Sequence, residues 1–388
     1  MMPLPKIYKL ENDLYTGFKE SLDELNVGKK FITVCGTTYT KKIAYEFIEN
    51  TKGYEFFPPI EVYKPTVSAA FKIRDIALKE NAPIIGFGGG KIMDVAKLGG
   101  SDAKKPVILV PTQPTHDAMA SPVVSIAAPV KHHSVPVDPP TGVILPMPIL
   151  YNSSKESIVY GTGDSIAKIT ANLDWKLSAE LNLEKQKDPK YDEAISSLCL
   201  NPSLENLKKL KKMKESGEPF LENEKMKKSY ISDLVDALIR YGKSMCTINS
   251  SVCASGSEHL WAHALDLIPQ KSIPHGIGAG SGTIIAYGLY ECFKPNYLKK
   301  LHTTLEDLKD IANYINLPYT SRELGIKKKE AIFALIKAVQ IGDERGRVTI
   351  YDYIRFYDLN EGKITFPREV RKITPYFAKK LLNNLRVI

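Results

Sequence analysis

The chain is 388 residues long, enough for two domains that each bury a core. Hydrophobic residues make up 43% and charged residues 25%, and no apolar run approaches the roughly 18 residues a membrane-spanning helix requires. The net charge of +9 admits a nucleic acid, an anionic membrane surface or an anionic substrate, but the lysines around 208–228 and 327–329 are interleaved with Glu, as on a solvated helical face.

The first residues, Met1 to Tyr8, lack the apolar core of a signal peptide, so the expected location is the cytoplasm. Lys29 to Cys35 reads as a buried strand ending at Gly36, followed by an amphipathic helix over about 40–50. Residues 54–63 alternate aromatic and aliphatic groups until Pro58 and Pro59 interrupt them, which marks an edge. Thr66 caps a predicted helix that runs to Glu80. A strand over 82–86 then meets a glycine turn, a helix continues to about 98, and Pro106 to Val110 forms the next strand. Strands alternating with helices at this spacing imply βαβ units and a parallel sheet, whose ligands lie beyond the carboxyl ends of the strands.

Residues 122–150 are rich in Val, Pro and Ile around His132 and His133, and predict a hairpin and further strands. From about 153 the pattern is helical almost to the end. The expected division is an α/β dinucleotide-binding domain over 1–152 and a helical domain over 153–388, with a cleft between them as the natural active site. The charged stretch over 184–228 reads as surface helices and a loop. Five cysteines without a C-x-x-C pair point to buried, reduced thiols.

Four segments carry candidate chemistry. In Gly86-Phe87-Gly88-Gly89-Gly90-Lys91-Ile92-Met93-Asp94, three consecutive glycines strip every Cβ from a strand-to-helix junction. Backbone N–H groups and the positive helix end could there approach a phosphate, or the glycines could merely serve a tight turn. The spacing is neither G-x-G-x-x-G, because Lys91 stands at the last glycine, nor a P-loop, because no Ser or Thr follows Lys91. The loop from Pro111 to Pro122 gathers Thr112, Thr115, His116, Asp117 and Ser121 after a strand, where they serve either turn capping or a site. Gly161 and Gly163 are expected to break one helix and start another, with Asp164 as N-cap or as ligand. Finally, His259 and His263 lie one turn apart and His275 precedes a glycine-rich run. Glu258 stands before the first His, so this is not the H-E-x-x-H motif of zinc proteases. Three of only seven histidines in so short a span favour a metal or catalytic site over a structural pair.

Taken in order, these segments resemble the sn-glycerol-1-phosphate dehydrogenases, archaeal enzymes in the wider group of glycerol dehydrogenases, iron-type alcohol dehydrogenases and 3-dehydroquinate synthases. The similarity runs from about 30 to 290 and is strongest in Gly-x-Gly-Gly-Gly-Lys-x-x-Asp-x-x-Lys, Pro-Thr-x-x-Thr-His-Asp, Gly-Asp-x-x-Ala-Lys and Ser-Gly-Ser-Glu-His-x-x-x-His. It implies a dehydroquinate synthase-like fold, with an N-terminal Rossmann-like parallel-sheet domain and a C-terminal all-helical domain. It further implies that Gly88, Gly89, Gly90, Lys91, Ile92, Met93 and Asp94 hold the pyrophosphate of NAD(P)H, with Thr112, Thr115 and Ser121 lining the cofactor. Asp117 and His263 would contact substrate. Asp164, His259 and His275 would bind one divalent metal, for which zinc suits the ligands, and Asp164 would also lie near substrate.

The implied activity is reduction of dihydroxyacetone phosphate to sn-glycerol 1-phosphate for archaeal ether-lipid synthesis, the metal polarising the C2 oxygen and Asp117, Asp164 and His263 forming the catalytic group. A homo-oligomer is expected, with no nucleic-acid partner. Two competing readings remain: a polyol dehydrogenase acting on free glycerol, and a basic nucleotide- or RNA-binding protein without catalysis. A 3-dehydroquinate synthase fits less well, because Glu is typical where Asp164 stands. One departure from the family pattern is Ile277, where an acidic residue usually follows His-Gly.

Overall fold

The computed structural model describes residues 2–127, 132–358, 363–364 and 373–388. The chain opens with β1 (Lys6–Leu10), α1 (Leu14–Leu25), β2 (Lys30–Cys35), α2 (Tyr39–Asn50), β3 (Glu55–Phe56), β4 (Ile60–Glu61), α3 (Val67–Glu80), β5 (Ile84–Gly88), α4 (Gly90–Ala103) and β6 (Val107–Pro111). A hairpin of β7 (Val123–Ala127) and β8 (His132–Pro136) follows, its tip at 128–131 lying outside the described residues, and then β9 (Gly142–Pro146). Next come α5 (Met147–Tyr151), α6 (Lys155–Leu181), α7 (Glu193–Glu215), α8 (Glu224–Ile248), α9 (Ser257–Leu265), α10 (His275–Phe293), α11 (Leu305–Ile315), α12 (Lys328–Arg345) and α13 (Ile350–Phe356). Two-residue strands β10 (Tyr357–Asp358) and β11 (Lys363–Ile364) pair before α14 (Pro375–Asn384).

Two compact units result: Met1–Gly161 with Lys227–Asn249, and Thr162–Met226 with Ser250–Ile388. The division falls inside α6 and again inside α8.

The first unit is built on a sheet of order β1-β9-β6-β5-β2-β3, with β4 also pairing β2. Each of these pairings is parallel. β5 and β6 are buried along their whole length, which is why they read as continuous apolar runs without alternation. Phe18, Phe47 and Phe87 meet in the core over one face, Phe18 and Phe47 edge to face at 4.9 Å between ring centroids. Pro58 and Pro59 separate β3 from β4, as the sequence predicts for an interrupted edge.

Three expectations are corrected. The strand expected over 82–86 spans Ile84–Gly88, so Gly86 and Gly88 are ladder residues opposite Leu109 and Pro111. Their glycines serve the helix packed behind them, since a Cβ on Gly88 would stand 2.6 Å from the Ile92 side chain. α4 does not stop near 98: Gly99 and Gly100 continue it, because a Cβ would stand 2.9 Å from the Ala70 carbonyl in one case and 2.1 Å from Val107 in the other. Lastly, Gly161 and Gly163 do not break a helix, and Asp164 is not an N-cap, because α6 runs unbroken through them. Cβ atoms there would stand 1.9 Å from the Pro114 carbonyl and 2.1 Å from the Gly276 carbonyl, so both glycines answer to close backbone packing.

The second unit is helical apart from the β10–β11 pair among its described residues. α9 packs between α10 and α12. No described helix is long and apolar enough to cross a membrane. All five cysteines are free, and only Cys292 is exposed.

Candidate active site

In the first unit, Gly89 is the N-cap of α4, and the Ile92 and Met93 N–H groups close onto its carbonyl at 3.0 and 3.1 Å. The N–H groups of Gly90 and Lys91 therefore have no acceptor within the helix and stand at its positive end. A Cβ on Gly90 would lie 1.7 Å from His116 Nε2, so the imidazole rests directly against the turn. His116 Nδ1 in turn accepts from the Ala118 N–H at 3.2 Å and caps the 3-10 turn Asp117–Met119. The hydroxyls of Thr112 and Thr115 are buried without a hydrogen-bond partner. Orphaned hydroxyls beside a helix N-terminus stripped of Cβ atoms suit a phosphate-bearing ligand.

Other residues singled out in this unit turn inward. Lys97, fully buried, donates to the Ser121 and Val123 carbonyls at 3.2 and 2.7 Å and to Ser121 Oγ at 3.2 Å. It also pairs with Asp94 at 3.4 Å, while Asp94 Oδ2 accepts from the Ser125 N–H at 3.0 Å. Burial pushes the Lys97 ammonium down, against the opposing charges of Asp94 and Asp117. Ser121 and Asp94 thus tie the Asp117 loop and the β7–β8 hairpin to α4. From the other side, a Cβ on Gly242 of α8 would stand 2.7 Å from the Ser121 nitrogen, so that helix too lies close against the loop. Met93 is core, Ile92 packs on Gly88, Lys91 is exposed, and Asp117 is half-buried.

In the second unit, α6, α9 and α10 bring Asp164, His259 and His275 together. Their candidate ligand atoms all lie within 4.8 Å of one another. His259 Nε2 is 3.3 Å and His275 Nε2 3.9 Å from the same Asp164 Oδ1. Asp164 and His259 are buried, and His275, at the start of α10, is partly open. Burial alone would raise the Asp164 carboxyl, but Lys168, 2.8 Å away, and the two imidazoles hold it well below the usual carboxylate range. One carboxylate and two imidazole nitrogens converging from three helices are a donor set for a divalent cation with a position to spare. His263 lies one turn beyond His259, wholly buried, with its ring centroid 6.3 Å from that of His275.

Two neighbours to which the sequence assigns no role stand against this cluster. Glu258 Oε1 is 2.7 Å from His259 Nδ1, and Asp174 Oδ2 accepts from the Ser257 N–H at 2.6 Å. Adjacency in sequence hides the first contact, since consecutive helical side chains ordinarily diverge.

An iron-containing alcohol dehydrogenase family pattern matches residues 10–153. The chain is 31% identical over 346 residues to a glycerol-1-phosphate dehydrogenase (NAD(P)+) of Saccharolobus islandicus (strain L.S.2.15 / Lassen #1), covering 89% of this chain and 91% of that protein. It is 32% identical over 350 residues to the protein of the same name from Saccharolobus solfataricus, with the same coverage. A solved structure of a probable glycerol dehydrogenase from Sinorhizobium meliloti 1021 shares the fold, with a TM-score of 0.70 at 14% identity over 99% of this chain and 97% of that one.

Proposed function

The chain belongs to the glycerol-1-phosphate dehydrogenase family, among the iron-containing alcohol dehydrogenases, and on that premise we propose that it reduces dihydroxyacetone phosphate to sn-glycerol 1-phosphate with NAD(P)H. The observation that carries this is the convergence of Asp164, His259 and His275 within 4.8 Å, a donor set that fits one divalent cation, with zinc the simplest occupant. When bound, the metal supplies Lewis acidity to an oxygen at the reacting carbon, and the nicotinamide supplies the hydride.

The chain's own residues do the rest. Gly88, Gly89 and Gly90, with the free N–H groups that open α4, hold the pyrophosphate, and the orphaned Thr112 and Thr115 hydroxyls are available to the cofactor. Lys168 keeps Asp164 ionised and therefore able to ligate. Asp117 and His263 orient the substrate, and His263 handles the proton that the new hydroxyl needs. The product's place in archaeal ether-lipid synthesis follows from the same proposal.

Oxidation of NADPH and NADH is to be followed with dihydroxyacetone phosphate as acceptor, and NAD reduction with free glycerol as donor. Turnover with the phosphorylated ketone is expected. Good activity on glycerol and none on dihydroxyacetone phosphate would mean a polyol dehydrogenase instead.

A further inference from the structure

Glu258 has no solvent exposure, and its two oxygens take three donors. Oε1 accepts from the Gly256 N–H at 2.6 Å and lies 2.7 Å from His259 Nδ1. Oε2 accepts from the Thr170 hydroxyl at 2.9 Å, and Thr170 sits on α6, two turns beyond Asp164. An ionised carboxylate only accepts, so the proton of the His259 ring belongs on Nδ1. Nε2 is then left with a bare lone pair, and it faces Asp164 Oδ1 at 3.3 Å. In that tautomer Nε2 and Asp164 Oδ1, which Lys168 also approaches at 2.8 Å, offer converging lone pairs to a single cation.

Behind Glu258 stands a second buried carboxylate. Asp174 Oδ2 accepts from the N–H of Ser257, the first residue of α9, at 2.6 Å. Its Oδ1 accepts from the N–H of Ile350, the first residue of α13, at 2.7 Å, and from the Tyr290 hydroxyl at 2.8 Å. One side chain thereby fixes the starts of two helices, one of which presents His259 two residues later. Gly256 threads between the carboxylates: a Cβ there would stand 2.4 Å from Asp174 Oδ2 and 3.1 Å from Glu258 Oε2.

We propose that Glu258 is the positioning residue of the metal site, locking His259 as the Nδ1–H tautomer and aiming Nε2 at the cation, while Asp174 anchors the turn that carries both. Outer carboxylates of this kind orient a ligating imidazole and raise its basicity. The proposal rests on the metal reading given above for Asp164, His259 and His275.

The test uses the full-length protein, stripped with chelator and titrated with Co2+, reading affinity and the visible ligand-field spectrum without any turnover. Wild type is expected to bind one Co2+, and Asp164→Ala to lose it. Glu258→Gln should weaken Co2+ by about 10–100-fold and shift the ligand-field bands. Thr170→Val, which loosens the same carboxylate without touching the ring, should keep the wild-type spectrum and affinity. If the Gln variant does not fold, Glu258→Asp, which withdraws the charge from Nδ1 by one methylene, should show the same weakening. Wild-type affinity and spectrum in the Glu258 variants would overturn the positioning role alone, as would an equal loss in Thr170→Val. Failure of wild type itself to bind Co2+ would overturn the underlying metal site.

Discussion

His263 and His259 share one face of α9, and His259 directs Nε2 at Asp164 Oδ1 at 3.3 Å. On the proposed division of labour, His263→Ala lowers turnover by about 10²-fold or more while metal content stays stoichiometric. Loss of the metal in the same variant would contradict that division. Lys97 makes a second case at this scale. Its ammonium is wholly buried among four oxygens, and Lys97→Met leaves Asp94 without its counter-charge. A loss of about 3–5 kcal/mol in denaturant unfolding is expected, and an unchanged midpoint would rule that account out. Such residues are only half legible in a sequence. Glycines 88–90 and the three donors stand in recognisable spacing, because chemistry fixes their types. Glu258 stands inside the Ser-Gly-Ser-Glu-His motif, yet its role and that of Asp174 stay hidden there, because both depend on which backbone amides a fold delivers to them.

At the scale of elements, glycines were the source of the three corrected boundaries. Periodicity treats Gly161-Thr162-Gly163 as a break, whereas α6 needs small residues there to approach a backbone carbonyl. Gly99 and Gly100 misled in the same way at the end of α4. The packing yields a direct prediction. Gly163→Ala puts a methyl 2.1 Å from the Gly276 carbonyl, next to His275, and must push α10 off α6. Stability should fall by about 1–3 kcal/mol, and cation affinity with it, as read by denaturant titration and chelator competition. A variant with native affinity and midpoint would show that the glycine is dispensable.

Across the whole molecule, local pattern carried the alternation of strands and helices but not the order of the sheet. β1 pairs with β9, more than a hundred residues away, and five residues of alternating Lys, Ile, Tyr, Lys and Leu announce nothing about that partner. Acid sensitivity also belongs to this scale. The Asp23 carboxyl is held below its usual range by Lys19, Tyr54 and Lys29; that of Asp343 is held down by Lys185 and Arg355 against the opposing effect of burial. Groups depressed in the fold contribute stability above their unfolded values and lose it as the pH falls through the folded ones. Melting temperature should therefore hold near neutrality and drop below about pH 4, and the Asp23→Asn, Asp343→Asn double variant should show a shallower acid limb. An identical limb in that variant would contradict the assignment.

The central claim is that Asp164, His259 and His275 hold a metal on which reduction of dihydroxyacetone phosphate depends. The most direct measurement is NADPH oxidation with that substrate in chelator-stripped enzyme, as zinc is returned in known amounts. Activity should be absent at the start and rise linearly to one equivalent, then level. Full activity in the metal-free protein, or in Asp164→Ala, would contradict the account.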